Sequence, residues 1–340
     1  MAPTSAAPTH EFHPPPQEMR VWAALGAIYL IWGSTYLAIR LMVETVPPAL
    51  GAGLRFVLAG AIMMVVLVVR RGAGALAVGR AQLLWCVAVG TLLAAGGNGL
   101  VTVAERDVPS GLAALLIASE PLLIVLLRRL AGDRARAATL GGVALGFVGV
   151  GILLLPGGRP DDVPLGMTLL VLVASLSWAL GSFLQSRVNV PSDPLTATAL
   201  SLSSGGLVLV VGGVVAGESL DLGAFSAKSV AAFFYLVVVG SIVAFSAYSW
   251  LLTHAPISKV STYAYVNPVI AVLLGAVFLS EDVAVATLAG MALVLASVWV
   301  IVRQESAGGE AGADAVAAVE THQLHDETDS ATVRTASSRT

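Results

Sequence analysis

Glu120 is the only carboxylate set deep inside an apolar stretch of this chain, immediately before Pro121, and Arg55 is similarly enclosed in Gly53-Leu54-Arg55-Phe56. An ionisable group among apolar residues is costly and persists where a partner, a ligand or water meets it. Three roles fit Glu120: a structural ion pair with Arg55 or Arg40, recognition of a substrate ammonium, or a proton-carrying site created by desolvation. Asn267, before Pro268, matches Glu120 before Pro121. A proline removes a backbone donor and kinks a helix, freeing a carbonyl, and in a membrane that is tolerated where it lines a cavity or is buried in protein. Pro121 and Pro268 are therefore expected to kink their helices.

Bond-making chemistry has no comparable constellation. Of the five histidines, His10, His13, His322 and His325 lie near the termini and His254 falls at the end of an apolar run. Paired intramembrane aspartates, a His-Glu-x-x-His motif and a Walker-type loop ending in Lys are all missing. A single cysteine, Cys86, forms no intramolecular disulfide and no thiolate metal site. The expected class is not an enzyme and uses no cofactor or metal; its polar residues serve recognition and passage. Net charge is −3 and nothing resembles a nucleic-acid surface.

The elements that must hold these residues are membrane helices. The chain is 57% hydrophobic and 11% charged, with a mean hydropathy of +0.87, which belongs to a membrane protein. Ten apolar runs approach the roughly 20 residues that span a bilayer core: Val21–Val43, Ala49–Val69, Ala81–Ala104, Gly111–Leu130, Ala137–Leu155, Leu165–Ser186, Leu195–Ala216, Ser229–Thr253, Ile257–Ser280 and Val283–Val302. Such runs are helices, because barrel strands are shorter and alternate. Residues 1–20 and 304–340, rich in small and polar residues, are expected to be disordered tails. No cleavable leader is expected, since the first run is long enough to span.

Arginine and lysine accumulate on the cytoplasmic side of membrane proteins. With the N-terminus inside, Arg20, Arg70, Arg71, Arg80, Arg128, Arg129, Arg134, Arg136, Arg187, Lys259 and Arg303 face the cytoplasm, against Arg106, Arg159 and Lys228 outside. Glu44, Glu105, Asp107, Asp161, Asp162, Glu218, Asp221, Glu281 and Asp282 then all fall in outer segments. Both termini are expected to be cytoplasmic.

The chain repeats itself. Trp32, Pro48 and Gly60 recur as Trp178, Pro194 and Gly206, each 146 residues later, and Pro109 and Pro121 recur as Pro256 and Pro268, each 147 later. Five helices (21–155), a linker (156–164) and five more (165–303) result. An odd number per repeat makes the second copy enter from the opposite side, so the fold class is all-α with ten transmembrane helices as two inverted five-helix repeats. Inverted repeats place a substrate site near the midplane, where the halves meet.

Positions four apart share a helix face. Trp32, Tyr36 and Arg40 therefore form one stripe, and Trp178, Ser182 and Ser186 the equivalent one. The stripes line an aqueous or substrate-filled cavity, or Arg40 snorkels as an outer-end anchor. Asn98, in Gly96-Gly97-Asn98-Gly99, marks close helix packing through small residues or a hinge. Tyr263 shares a face with Asn267 and lines the cavity or fills core. Gly142 and Gly146 permit a close helix contact.

Trp32-Gly-Ser-Thr-Tyr-Leu-Ala-Ile-Arg40, Leu54 to Gly60, Ser119 to Leu123 and Val266 to Glu281 resemble the EamA-type branch of the drug/metabolite transporter superfamily. The resemblance covers about residues 21 to 303, with Gly132-Asp133 and Ser280-Glu281 where Gly-Glu is common. It implies an inner-membrane carrier with a central cavity and peripheral fifth and tenth helices, in a family with many exporters of amino acids, other metabolites or toxic compounds. The expected function is export of a small metabolite by alternating access, with a passive channel or lipid/metabolite facilitator as the alternative. Expected partners are a small-molecule substrate and membrane lipids; protons as coupling ion and a homodimer are compatible.

Overall fold

The computed structural model describes residues 17–133, 136–255, 257–260 and 262–304. Most of both expected tails, together with Arg134 and Pro256, lies outside the described residues. Among the described residues ten helices carry the fold: α1 (Gln17–Met42), α2 (Pro48–Arg71), α3 (Arg80–Ala104), α4 (Ser110–Leu130), α5 (Ala137–Leu154), α6 (Leu165–Gln185), α7 (Pro194–Val215), α8 (Ala227–Tyr248, running on to His254), α9 (Tyr263–Leu279) and α10 (Val285–Gln304). All but α9 are long and apolar enough to cross a membrane. Residues 17–20, assigned to the tail by their polarity, instead open α1. Gln, Glu, Met and Arg are good helix formers, and Glu18 sits where the helix dipole favours an acid.

Apolar side chains face in two directions. Leu115, Leu122, Leu153, Val171 and Val298 join α4, α5, α6 and α10 in one core, and Phe56, Met63, Ala94 and Leu202 join α2, α3 and α7 in another. On the outer faces Leu30, Val65, Leu84, Val148, Val215 and Phe278 stand exposed. A molecule apolar on its exterior as well as its interior has hydrocarbon as its solvent.

The inverted symmetry is visible where α2 crosses α7. A Cβ on Gly60 would lie 2.8 Å from the Ala199 carbonyl oxygen, and one on Gly206 would lie 2.8 Å from the Gly53 carbonyl oxygen. These contacts map onto each other under the 146-residue repeat. Both helices begin on a proline, Pro48 and Pro194, where the missing N–H is no loss. α5 and α10 pack together at the expected glycine spacing: Ser297 Oγ donates to the Gly142 carbonyl at 2.6 Å, and a Cβ on Gly142 would touch Val300 and Ile301.

π-helical segments interrupt α3 at Thr91–Gly99 and α8 at Leu236–Val243, nearly equivalent places in the two repeats. Such segments favour functional sites. The one in α3 holds Asn98 and presses on α6, where a Cβ on Gly97 would stand 2.7 Å from the Trp178 ring. Close packing and a local departure from α geometry therefore coincide at Asn98.

The two prolines do not behave alike. α4 is broken at Ala118-Ser119, just before Glu120-Pro121, whereas Pro268 lies within the continuous α9. The ninth apolar run is described as two helical pieces, Ile257–Val260 and Tyr263–Leu279, with Thr262 in a turn. The α4 break falls just before Pro121, whose missing N–H and ring oppose the helix there. Ser119 Oγ donates to the Leu116 carbonyl and Thr262 Oγ1 to the Lys259 carbonyl, each at 2.6 Å.

Candidate functional site

A cavity of about 490 Å³ lies between the repeats. Trp32, Asn98, Glu120, Trp178, Ser182 and Tyr263 line it together with Phe245 and Tyr248. It reaches the end of the molecule that carries the α6–α7 turn, where Gln185, Ser186 and Val190 complete its wall. A smaller chamber of about 100 Å³ continues inward past Tyr36, Arg55, Glu120 and Asn267. Nine of the ten residues singled out as cavity-lining from the sequence thus meet around one connected space.

The aromatic wall is centred on Trp32. Its ring centroid lies 5.0 Å from that of Tyr263, 5.2 Å from Tyr248 and 5.6 Å from Phe245, within the range of favourable edge contacts. α1, α8 and α9 converge there because Gly33 admits α9: a Cβ on Gly33 would clash with Ile270 at 2.7 Å. The repeat also supplies the second tryptophan, Trp178.

Polar groups are set sparsely into this wall. Arg55 is only 3% exposed; its Nε donates to Ser241 Oγ at 3.0 Å, and its guanidinium lies 4.7 Å from the Phe56 ring centroid. Asn267 is 8% exposed, and its Oδ1 has no hydrogen-bond partner among the described residues. Glu120 sits half-buried where the two chambers meet, with Ser182 beside it. Neither Arg55 nor Arg40 makes an ion pair with Glu120, so the structural pair considered for it does not form in this conformation.

Arg40 departs from its expected place. It lines neither chamber and instead borders a separate depression of about 450 Å³ with Glu44, Arg106 and Glu281. Its Nη1 donates to the main-chain carbonyls of Glu105 and Arg106. The stripe that begins at Trp32 therefore leaves the cavity before its last member, because the end of α1 meets the α3–α4 turn.

That end of the molecule is closely tied. Lys228 Nζ lies 2.6 Å from Glu44 Oε2, Ser226 N donates to Thr45 Oγ1 at 3.0 Å, and Ser229 Oγ donates to the Leu41 carbonyl at 2.8 Å, joining α8 to α1. Glu281 accepts from Ser110 N at 2.7 Å and Gly111 N at 3.1 Å, and Glu218 accepts from Leu50 N at 2.8 Å and Ala49 N at 3.1 Å. Each carboxylate satisfies the free N–H groups at a helix start. At the opposite end, Asp133 pairs with Arg128 and Arg187, and Asp193 pairs with Arg71.

Sequence reasoning missed Phe245, Tyr248 and Glu105. Phe245 was within reach, since it lies 147 residues after Asn98 and so occupies the same place in the second repeat. Glu105 reads as an outer-loop acid, yet it is fully buried under the Arg40 contact. Among the described residues no cluster of three or more His, Cys, Asp or Glu could hold a metal ion.

The comparisons with known proteins agree with this architecture. A crystal structure 21% identical in sequence superposes with a TM-score of 0.58, covering 84% of this chain and 96% of the other, which shows the fold. The uncharacterized inner membrane transporter YedA of Escherichia coli (strain K12) is 40% identical over 264 residues, 76% of this chain and 83% of that protein. A probable amino-acid metabolite efflux pump of Salmonella typhimurium (strain LT2) is 23% identical over 80% of this chain and 91% of its own length. The EamA-like transporter family matches twice, at residues 20–155 and 165–303, once over each set of five helices. With two family matches covering the helical repeats, the chain belongs to the EamA-like transporter family, multi-pass membrane proteins within the drug/metabolite transporter superfamily.

Proposed function

We propose that the protein is a secondary transporter that exports small metabolites, amino acids or related compounds, across the cytoplasmic membrane by alternating access. The observation that carries this reading is one cavity between the two repeats that reaches the α6–α7 end, an end that itself carries the Asp133–Arg187 and Arg71–Asp193 pairs, and that does not join the depression at the other end, where Arg40, Lys228 and Glu281 make their contacts. Arg70, Arg71, Arg80, Arg128, Arg129, Arg187 and Arg303 fall at the helix ends on the side the cavity reaches, which supports reading that end as cytoplasmic and the conformation as inward-facing. The relative named as an amino-acid metabolite efflux pump supports the substrate class and the direction.

In this reading Trp32, Trp178, Tyr36 and Tyr263 form the amphipathic wall of the substrate path. Arg55, Asn98, Glu120, Ser182 and Asn267 supply its polar contacts. Arg40 closes the outer end. The close α2–α7 crossing is the pivot about which the repeats exchange exposure, and the π segments of α3 and α8 are the places where the wall bends. The two states need differ by only a few kcal/mol for a substrate to shift them.

The test is exchange across liposomes that contain the purified full chain, with a mixture of labelled amino acids as probe. A carrier shows saturable uptake that is accelerated by unlabelled amino acid on the far side. Unsaturable flux without such acceleration would identify a passive channel instead.

A further inference from the structure

Glu105 follows α3 directly and is 0% exposed, and neither of its carboxylate oxygens has a hydrogen-bond partner among the described residues. Buried polar groups are nearly always partnered, and an ionised carboxylate enclosed without partners is among the costliest groups a fold can hold. The carboxyl is not orphaned for want of candidates. Arg40 of α1 and Arg55 of α2 are its cationic neighbours, Glu281 beyond α9 is an acidic one, and the Tyr36 phenol of α1 also faces it. Each is committed elsewhere or neutral: Arg40 to the carbonyls of Glu105 and Arg106, Arg55 to Ser241, Glu281 to the N–H groups of Ser110 and Gly111.

The position of Glu105 matters as much as its isolation. Arg55 lines the inner chamber and Arg40 borders the depression at the tied end. Glu105 neighbours both arginines and belongs to the wall of neither space. Opening the tied end requires Arg40 to leave the α3–α4 turn, which frees a guanidinium beside the carboxyl and admits water to it. Protonation and opening are then mutually exclusive partners of one group.

We propose that Glu105 is a proton-binding site of the transport cycle, neutral and sealed in the conformation described here, ionised and paired with Arg40 once the tied end opens. The proton passes to water at that end and is regained from the same side before the end closes again, and the charge left meanwhile on the carboxylate is balanced by the Arg40 guanidinium. This coupling role rests on the alternating-access reading above; the neutral state of Glu105 does not. It differs from the role of Glu120, which lines the cavity and meets the substrate directly.

Two measurements separate those claims. Infrared spectra of the detergent-purified full chain at neutral pH are compared between wild type and Glu105→Gln. A protonated-acid carbonyl band present in wild type and lost in the variant is expected; a difference confined to ionised-carboxylate bands would overturn the proposal, whether or not the protein transports anything. Should Glu105→Gln fail to give monodisperse protein, Glu105→Asp replaces it, and the same band must shift rather than vanish. In liposomes with the labelled amino-acid mixture, wild-type exchange is expected to depend on the pH of the medium at the tied end, Glu105→Gln to lose that pH response, and Glu105→Asp to recover it. A pH response as strong in Glu105→Gln as in wild type would overturn the coupling role.

Discussion

Trp32 of the first repeat and Tyr263 of the second meet edge to face, with centroids 5.0 Å apart and planes inclined at 76°. Both rings border the cavity beside Glu120, so a contact between the halves is also a wall of the cavity. Removing the Trp32 ring deletes three aromatic contacts, each worth about 0.5–1.5 kcal/mol. Trp32→Ala is expected to lower the stability of the detergent-solubilised chain by about 1.5–4.5 kcal/mol, read as a lower thermal unfolding temperature, and to raise the KM for exchange because part of the cavity wall is gone. Trp85→Ala, which removes an exposed ring outside the cavity, is the control that leaves KM unchanged.

Glu120 is the carboxylate both chambers share. Glu120→Gln keeps its shape and removes its charge, so liposome flux or its proton dependence changes far more than in Asp161→Asn, which alters an exposed acid of the 156–164 linker. Equal, near-normal flux in both variants would remove Glu120 from the mechanism.

The α2–α7 crossing has no room for side chains at its centre. A Cβ on Gly206 would stand 2.7 Å from Val57 N and 2.8 Å from the Gly53 oxygen, whereas one on Gly212 meets nothing within 4 Å. Overpacking of this kind costs about 1–3 kcal/mol or more. Gly206→Val is therefore expected to lower the thermal unfolding temperature of the detergent-solubilised chain. Gly212→Ala, in the last turn of α7 and unhindered, leaves it unchanged or raises it slightly.

Asp193 caps α7 by accepting from Thr196 N at 3.1 Å and Thr196 Oγ1 at 2.7 Å, and it pairs with Arg71 at 3.1 Å. Partial burial pushes its carboxyl up, but the bonds from Thr196 and Arg71 outweigh that and hold it below the ordinary aspartate value. A group depressed on folding stabilises fully above its unfolded value, about 3.9, and loses that contribution as pH falls through the lower folded value. Asp193→Ala should cost about 0.5–2 kcal/mol at neutral pH. Chemical-denaturation midpoints of the two proteins should converge as the medium is acidified below that window.

The ten runs, their lengths and the 146-residue recurrence of Trp32, Pro48 and Gly60 follow from composition and spacing alone. Hydrocarbon forces apolar length and internally satisfied backbone, both of which are written linearly in the chain. For the same reason Trp32, Tyr36, Glu120, Trp178 and Tyr263 could be assigned to a cavity wall: polar or amphipathic groups in such runs turn away from lipid.

Tertiary structure alone decided which end is tied and who partners whom. Arg40 and Glu105 lie 65 positions apart, and no periodicity tells that the end of α1 closes over the α3–α4 turn and buries an acid that reads as loop. The helical pieces of the ninth run likewise end on either side of Thr262, while Pro268 lies inside α9. Pattern fixes which faces are apolar; pairings between distant polar groups depend on distances that arise only when the helices pack.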